Sequence, residues 1–395
     1  MILTAKQEEG LKIAVARYKE HKPWTCIAGY AGTGKSTLVK FIIAALDIRP
    51  DNVCYIAFTG KAATVLQQKG CPNAITAHKL LYYSEQLANG RFVHKPRKSF
   101  EGDYKVIVVD EVSMLPKPMW DLLLKHKVYV LALGDPAQLP PIDKDQDNGV
   151  LEQPHVFLDE VMRQAQDSEI IRLSMHVREG KPISSFKCEG AQVKIFKQNQ
   201  VSTGMYEWAD QILCATNNKR NEINNTFRKM RGYGEEPEEG DKIISLTNHW
   251  DFMSSKDGWA LTNGQIGTLG YNYIERENLP RYISTTPVDY MYSIVKIDND
   301  EFNMVPIDYQ FLKTGTPSLN SKQSYQLRKN ESCPLDPPYD FAYGYAITGH
   351  KAQGSEWEKV LMFEERFPFD TEEHRRWLYT CITRASKKLV LITQH

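Results

Sequence analysis

The sequence lacks paired cysteines. Its seven, Cys26, Cys54, Cys71, Cys188, Cys214, Cys333 and Cys381, are odd in number and include no CxxC. A disulfide scaffold or a structural zinc site is therefore not what organises the fold, and a reducing interior is the expected compartment. Long apolar runs are missing too: nothing approaches the roughly 20 consecutive apolar residues of a membrane span. The first residues, Met1-Ile2-Leu3-Thr4-Ala5-Lys6-Gln7, show no basic start followed by an apolar stretch, so no signal peptide is expected from them. Net charge is absent as well, with 49 Lys+Arg against 49 Asp+Glu. That balance argues against a polybasic nucleic-acid coat but leaves room for a local positive track, because binding responds to local field and not to the total. No internal repeat or low-complexity tract stands out. The expectation is a soluble cytoplasmic protein with no membrane partner.

What the 395 residues do hold is apolar content, 42%, enough for more than one core. The first 160 residues alternate strand-like and helix-like segments. Thr25–Ala28, Val53–Phe58, Lys105–Val109 and Val128–Leu133 are unbroken apolar runs, and Ser36–Leu46 carries Leu38, Phe41, Ile42 and Ala45 at helical spacing. Strands of this kind suit a parallel sheet covered on both faces, an α/β fold. Between Leu81 and Asp103 the rhythm breaks into an aromatic and basic stretch centred on Asn89-Gly90, which reads as a small inserted hairpin. Gln211–Ala215 and Asn217–Met230 restart the strand–helix pattern. From about Gly240 to Pro338 short β-rich runs, among them Lys242–Leu246, Gly264–Leu269 and Tyr292–Ile297, suggest a small β-barrel insertion. Phe341 to His395 returns to α/β character and ends in a strand at Lys388–Thr393. The expected organisation is a first lobe over 1–80 and 103–157, a hairpin over 81–102, a second lobe over 158–239 and 339–395, and a β-rich insertion over 240–338.

Gly29-Tyr30-Ala31-Gly32-Thr33-Gly34-Lys35-Ser36 fits GxxxxGK followed by Ser or Thr, and sits after a strand and before a helix. Glycines let backbone N–H groups wrap phosphates, and the helix presents its positive end to the anion. Lys35 is expected to reach the outer phosphates and Ser36 to ligate Mg²⁺. Gly29, Ala31, Gly32, Thr33, Gly34, Thr37 and, far off in sequence, Glu356 complete the expected ATP-binding set. The run Val106-Ile107-Val108-Val109 delivers Asp110 and Glu111 to the end of a strand, where ligands bind in open α/β sheets. Beside the phosphate loop, Asp110 is expected to hold Mg²⁺ and Glu111 to orient or deprotonate the attacking water. Gln7 has two readings of similar weight: the Thr4-x-x-Gln7 capping box of a helix, or an amide that reads the adenine edge.

Together with motifs farther along the chain, these residues resemble superfamily 1 helicases, in the RecD-like and Dda-like branch. The resemblance covers nearly the whole chain, with motifs in the family's order. Leu3-Thr4-x-x-Gln7 is similar to the adenine-reading Q motif. Ala57 to Ala63 is similar to the first DNA-contacting motif, and Thr76-Ala77-His78 to the short motif after it. Asp110-Glu111-Val112-Ser113-Met114 matches the magnesium and water site. Gly134-Asp135-Pro136-Ala137-Gln138-Leu139-Pro140-Pro141 is the most specific; its Gln138 implies a γ-phosphate sensor. Leu158 to Arg163 resembles the motif whose arginine enters the ATP site from the second lobe, although Arg163 could also simply pair with Asp159 on a helix surface. Tyr345 to Gly354 looks like motif V, and Tyr379-Thr380-Cys381-Ile382-Thr383-Arg384 like the last motif, with Arg384 as a second arginine finger. The resemblance implies two RecA-like parallel-sheet lobes with an SH3-like insertion in the second. It implies a DNA-dependent ATP hydrolase that moves 5′ to 3′ and separates strands.

Movement needs grips that alternate. Thr59, Lys61 and His78 on the first lobe, and Asn217, Thr348 and His350 on the second, are the candidates for phosphate contacts that read no sequence. Phe92 or Phe100 could be the wedge at a fork, or a core aromatic. The implied partners are single-stranded DNA, duplex forks and single-strand-binding or replication and recombination proteins; the implied state is a monomer, in a bacterial or phage-infected cell. The competing readings are a DNA-stimulated ATPase that remodels complexes without unwinding, a phosphate-loop kinase, and an RNA-directed motor.

Overall fold

The computed structural model describes all residues except 1–2, 72, 87–91, 141–143, 248, 256–259, 298–299, 331–332, 334, 367–370 and 395. By Cα proximity the chain divides into two compact units. One comprises Met1–Tyr83, Pro96–Thr216 and Ile347–His395; the other comprises Ser84–Lys95 and Asn217–Ala346.

The first unit is built on two sheets. One has six strands in the order Ala74–Thr76, Val53–Ala57, Val106–Val109, Tyr129–Gly134, Trp24–Gly29, Val156–Leu158, and each neighbouring pair is parallel. Its strands are apolar throughout because both faces are covered. Side chains alternate across a strand, so Val106 and Val108 join one core with Leu38, Ile42 and Leu131. Ile107 and Val109 join another with Cys54, Trp120 and Leu123. The second sheet has five strands in the order Ala346–Thr348, Gln211–Cys214, Trp357–Phe363, Ala385–Thr393, Val193–Lys197. Its three pairs from Gln211–Cys214 through Val193–Lys197 are parallel. Helices Glu169–Arg178 and Thr371–Ile382 pack together on it, the latter burying Trp377, Leu378, Tyr379 and Cys381. Two parallel sheets of this kind are the expected α/β architecture. None of the seven cysteines is disulfide-bonded.

In the other unit a five-stranded antiparallel sheet runs Asp300–Asp308, Val288–Ile297, Ile266–Glu277, Lys242–Ser245, Phe341–Tyr343. Ile307 bridges Tyr339, just ahead of the last strand, so the two ends of the order come near one another. Helix Asn217–Met230 is tied to this sheet by buried polar groups. Asn224 Nδ2 donates to Tyr343 O (2.9 Å) and accepts at Oδ1 from Ala346 N (2.7 Å). Arg228 pairs with the fully buried Asp241 at 2.9 Å, and Tyr345 donates to the same carboxylate. Strands Tyr82–Gln86 and Phe92–Pro96 pair as a two-stranded sheet, while the Asn89-Gly90 turn expected between them lies outside the described residues.

Candidate active site

The phosphate loop connects strand Trp24–Gly29 to helix Lys35–Ala45. Its shape demands glycine. Gly34 caps the helix at φ +82°, and a Cβ at Gly29 would stand 2.8 Å from Leu158 O. Lys35 Nζ donates to Gly29 O (2.6 Å) and Tyr30 O (3.0 Å), so the ammonium rests on the first two carbonyls of the loop. Ser36 is exposed on the first helical turn, Thr37 is half-buried, and Thr33 is buried with its hydroxyl on Tyr30 O. Gln7 is buried in a complete capping box with Thr4, and its Nε2 donates to Thr33 O at 3.1 Å. Both readings of Gln7 meet here: it caps its helix, and its amide nitrogen touches the loop.

Asp110 and Glu111 stand at the end of strand Val106–Val109. Burial, with Glu111 adjacent, pushes the Asp110 carboxyl up to about 6, while the charge on Lys35 draws it back down. Glu111 has a left-handed backbone, φ +49°, which is costly for a residue with a Cβ and places its carboxylate off the helical path of the next residues. One oxygen, Oε1, accepts from Arg384 Nη1 at 3.1 Å; the other, Oε2, is buried without a hydrogen-bond partner.

Arg384 lies just beyond helix Thr371–Ile382 of the second sheet and is held for this contact. Nε donates to Thr380 O (3.1 Å), and Nη1 is shared with Ser355 O (3.3 Å). A cavity of about 160 Å³ is lined by Ser36, Asp110, Glu111, Lys69, Glu356 and Arg384 among others, so residues from both sheets face one space. At its edge Lys69 and Glu356 form an ion pair at 2.9 Å. Glu356 thus lines the same cavity as Ser36, Asp110 and Glu111.

The Gly134 to Leu139 segment is sewn to the second sheet. Asp135 accepts from Tyr379 Oη at 2.7 Å, Leu139 N donates to Thr380 Oγ1 at 2.9 Å, and Gln353 Nε2 donates to Leu139 O at 2.7 Å. Gln138 is half-buried in this segment. Arg163 opens the short helix Arg163–Gln166, and its side chain lies outside the described residues; Asp159, its alternative partner, pairs with Lys6. Met162 N donates to Gly32 O at 2.9 Å, which brings that segment against the phosphate loop.

The expected nucleic-acid contacts are placed less directly. Thr59 Oγ1 accepts from Ala62 N as the cap of helix Gly60–Gln68, so its hydroxyl oxygen already has a backbone donor. The Lys61 and Phe92 side chains lie outside the described residues. His78 sits among the rings of Phe58 and Tyr82. Thr348 ends a strand, and burial lowers the His350 pKa below the usual imidazole value. Asn217 is exposed at the start of its helix in the other unit. Phe100 stacks on His126 (4.1 Å between centroids) against the core that holds Ile107, Trp120 and Leu123, the core alternative for that ring.

Sequence reading assigned no role to three further residues. Arg178 lies 3.6 Å over the Tyr30 ring, Lys69 closes the cavity edge, and Tyr379 bonds the loop itself: Ala31 N donates to Tyr379 Oη at 2.7 Å. Tyr379 stood within a recognised motif; the other two carry no sequence signal, since partners so distant in the chain are not visible in spacing.

Residues 3–199 match the AAA domain family, and residues 343–392 match the UvrD-like helicase C-terminal domain. Among curated proteins, the ATP-dependent RecD2 DNA helicase of Deinococcus radiodurans is 26% identical over 91% of this chain and 45% of its own length. The ATP-dependent DNA helicase dda of Enterobacteria phage T4 is 27% identical over 97% of both chains. Over nearly its whole length the chain is similar to these superfamily 1 helicases of the RecD-like and Dda-like branch. The structure of Bacteroides Pif1 with ADP-AlF3 and single-stranded DNA shares the fold, with a TM-score of 0.53 at 17% identity, covering 100% of this chain and 93% of that one. The chain spans less than half of the RecD2 relative and nearly all of the phage one.

Proposed function

We propose that this chain is an ATP hydrolase that translocates 5′ to 3′ on single-stranded DNA and separates strands at a fork. The observation that carries the reading is the Glu111–Arg384 contact. A carboxylate suited to activating water and a guanidinium suited to a phosphoryl group come from different sheets and meet in one cavity with Ser36 and Asp110. An arginine so placed can contribute several powers of ten to phosphoryl transfer, and only when the two sheets stand together. Nucleotide binding would therefore favour closure of one sheet on the other, and hydrolysis would release it.

In this reading Lys35 turns from the loop carbonyls to the outer phosphates, Gln7 stands by the base, Gln138 reports on the γ-phosphate and Arg163 approaches it. Ser36 and Asp110 would hold Mg²⁺, which when bound neutralises charge on the phosphates. The fit is chemical: Mg²⁺ is characteristically held by one or two carboxylates together with substrate phosphates, and among the described residues no three-ligand His, Cys, Asp or Glu cage exists to bind a metal alone. Glu111, with Oε2 unpartnered, orients the attacking water. Thr59, Lys61, His78, Asn217, Thr348 and His350 grip the DNA backbone, and Phe92 is the wedge. The near-closure of the strands between 240 and 343 supports an SH3-like insertion in the second lobe.

ATP turnover measured with and without single-stranded DNA or RNA tests this reading. Stimulation by DNA is expected; turnover indifferent to nucleic acid would overturn it. Lys35→Ala should abolish turnover while leaving the fold intact, and undiminished turnover would refute the site.

A further inference from the structure

Strand Gln211–Cys214 of the second sheet runs out into a buried Ala215 and an exposed Thr216. Their donors converge on one anion from far along the chain. Ala215 N and Thr216 N both donate to Glu365 Oε2, the second at 3.0 Å, and Thr216 Oγ1 donates to Glu365 Oε1 at 2.6 Å. Glu365 lies two residues past strand Trp357–Phe363, which pairs in parallel with Gln211–Cys214. The carboxylate therefore sits at the carboxyl ends of adjacent parallel strands, where open α/β sheets take their ligands. Two of the grips proposed above adjoin it. Thr348 ends the next strand of the same sheet, held there by Gly349 N donating to Cys214 O at 3.0 Å. Asn217 follows Thr216 in the sequence.

The three donors are uncharged: two backbone N–H groups and a hydroxyl. Such groups hold nucleic-acid phosphates without reading sequence. A phosphodiester carries one negative charge shared by two oxygens, as a carboxylate does. Thr216 is exposed, so burial does not oblige its two donors to find a protein acceptor. Glu365 is half-buried and lies outside the strand, so turning its side chain away breaks no rung of the sheet.

We propose that Glu365 is an internal stand-in for a DNA backbone phosphate: without DNA its carboxylate occupies the donors of Ala215 and Thr216, and a bound strand takes them by displacing it. The displaced carboxylate remains tethered beside the site and competes to return. A grip that carries its own competitor holds less tightly and lets go faster. Stepping needs that property, because each grip must release the strand once per cycle.

The inference rests on the single-stranded DNA reading proposed above, and the test separates the two. A fluorescein-labelled oligothymidine is titrated into the full chain without nucleotide, and its release is timed by a chase of unlabelled strand. Glu365→Ala empties the site and should bind the strand roughly 3- to 30-fold tighter, the worth of about one surrendered hydrogen bond to a charged group in a partly exposed place, mainly through slower release. Glu365→Gln keeps an oxygen for the amides but loses the charge, and should gain less. Glu364→Gln removes the same charge one residue away, where the carboxylate faces His374 Nε2 at 3.5 Å, and should leave affinity near the wild-type value. Equal gains at 364 and 365 would reduce the effect to general repulsion and overturn the proposal. A carboxylate that merely caps the strand end predicts unchanged or weaker DNA binding in Glu365→Ala, and that result overturns it too. Should Glu365→Ala not fold, Glu365→Gln carries the test, and no gain there counts against the proposal. A wild type that bound no strand would sink the DNA reading itself; wild-type binding with no gain in either Glu365 variant would sink this inference alone.

Discussion

Glu111→Gln isolates the chemistry of the site with the least disturbance to its shape. Glutamine is nearly isosteric and can sit in the same left-handed backbone, so the φ of +49° is no worse served than before. What changes is charge. Arg384 loses the carboxylate 3.1 Å away but keeps Thr380 O, Ser355 O and Thr383 Oγ1. The stability lost should therefore be roughly 1.5–3 kcal/mol, the worth of a hydrogen bond to a charged group, and not the larger cost of stranding a buried ion. The catalytic loss should be greater. Removing a positioned general base typically forfeits 10²–10⁴-fold in kcat, about 3–5 kcal/mol of barrier. ATP affinity should hold or improve, because Arg384, released from an anion of the protein, is left for the anion of the ligand. Steady-state turnover on saturating single-stranded DNA, beside equilibrium binding of a non-hydrolysable ATP, measures both. A folded variant whose kcat falls less than about tenfold, or whose ATP affinity collapses, would refute the assignment of Glu111 to water and of the pair to the cleft.

Arg384→Ala should cripple hydrolysis far more than ATP affinity; a variant weakened only in nucleotide binding would disprove a transition-state role. Acid should weaken the other unit through His249. Burial against Tyr339 lowers its pKa from 6.5 to about 3. The unfolded chain therefore binds the extra proton between those values, and stability present above pH 6.5 is lost as pH falls through it. Between pH 7.5 and 5.5 this one group should contribute about 1.4 kcal/mol of destabilisation. His249→Gln should show a smaller drop in melting temperature over that interval than wild type, and an equal drop would exclude His249 as the source.

Much of the fold was legible because it rests on local rules. Val106 to Val109 are apolar on both faces, the mark of a covered parallel strand, and the helix Asn217–Met230 falls where its spacing places it. Strands Ala74–Thr76 and Val156–Leu158 are three residues each, too short for a period to register. Strand Ile266–Glu277 runs far beyond the apolar Gly264–Leu269, since its outer half carries exposed Tyr271, Tyr273 and Ile274 and so has no buried face to set an alternation. In the site, loop and carboxylates are read from neighbours in sequence. The Tyr379–Asp135, Leu139–Gln353 and Lys69–Glu356 contacts are not: they join residues more than 200 apart, and only the packing of the two sheets selects those partners.

Strand displacement is the most direct test of the account. Duplexes with a 5′ tail, a 3′ tail or no tail, incubated with the full chain, ATP and Mg²⁺, should yield separated strands from the 5′-tailed substrate alone, and none with Glu111→Gln. Translocation on bare single strands without displacement of any duplex would contradict the claim that this motor is a helicase, and displacement from the 3′ tail would contradict its direction.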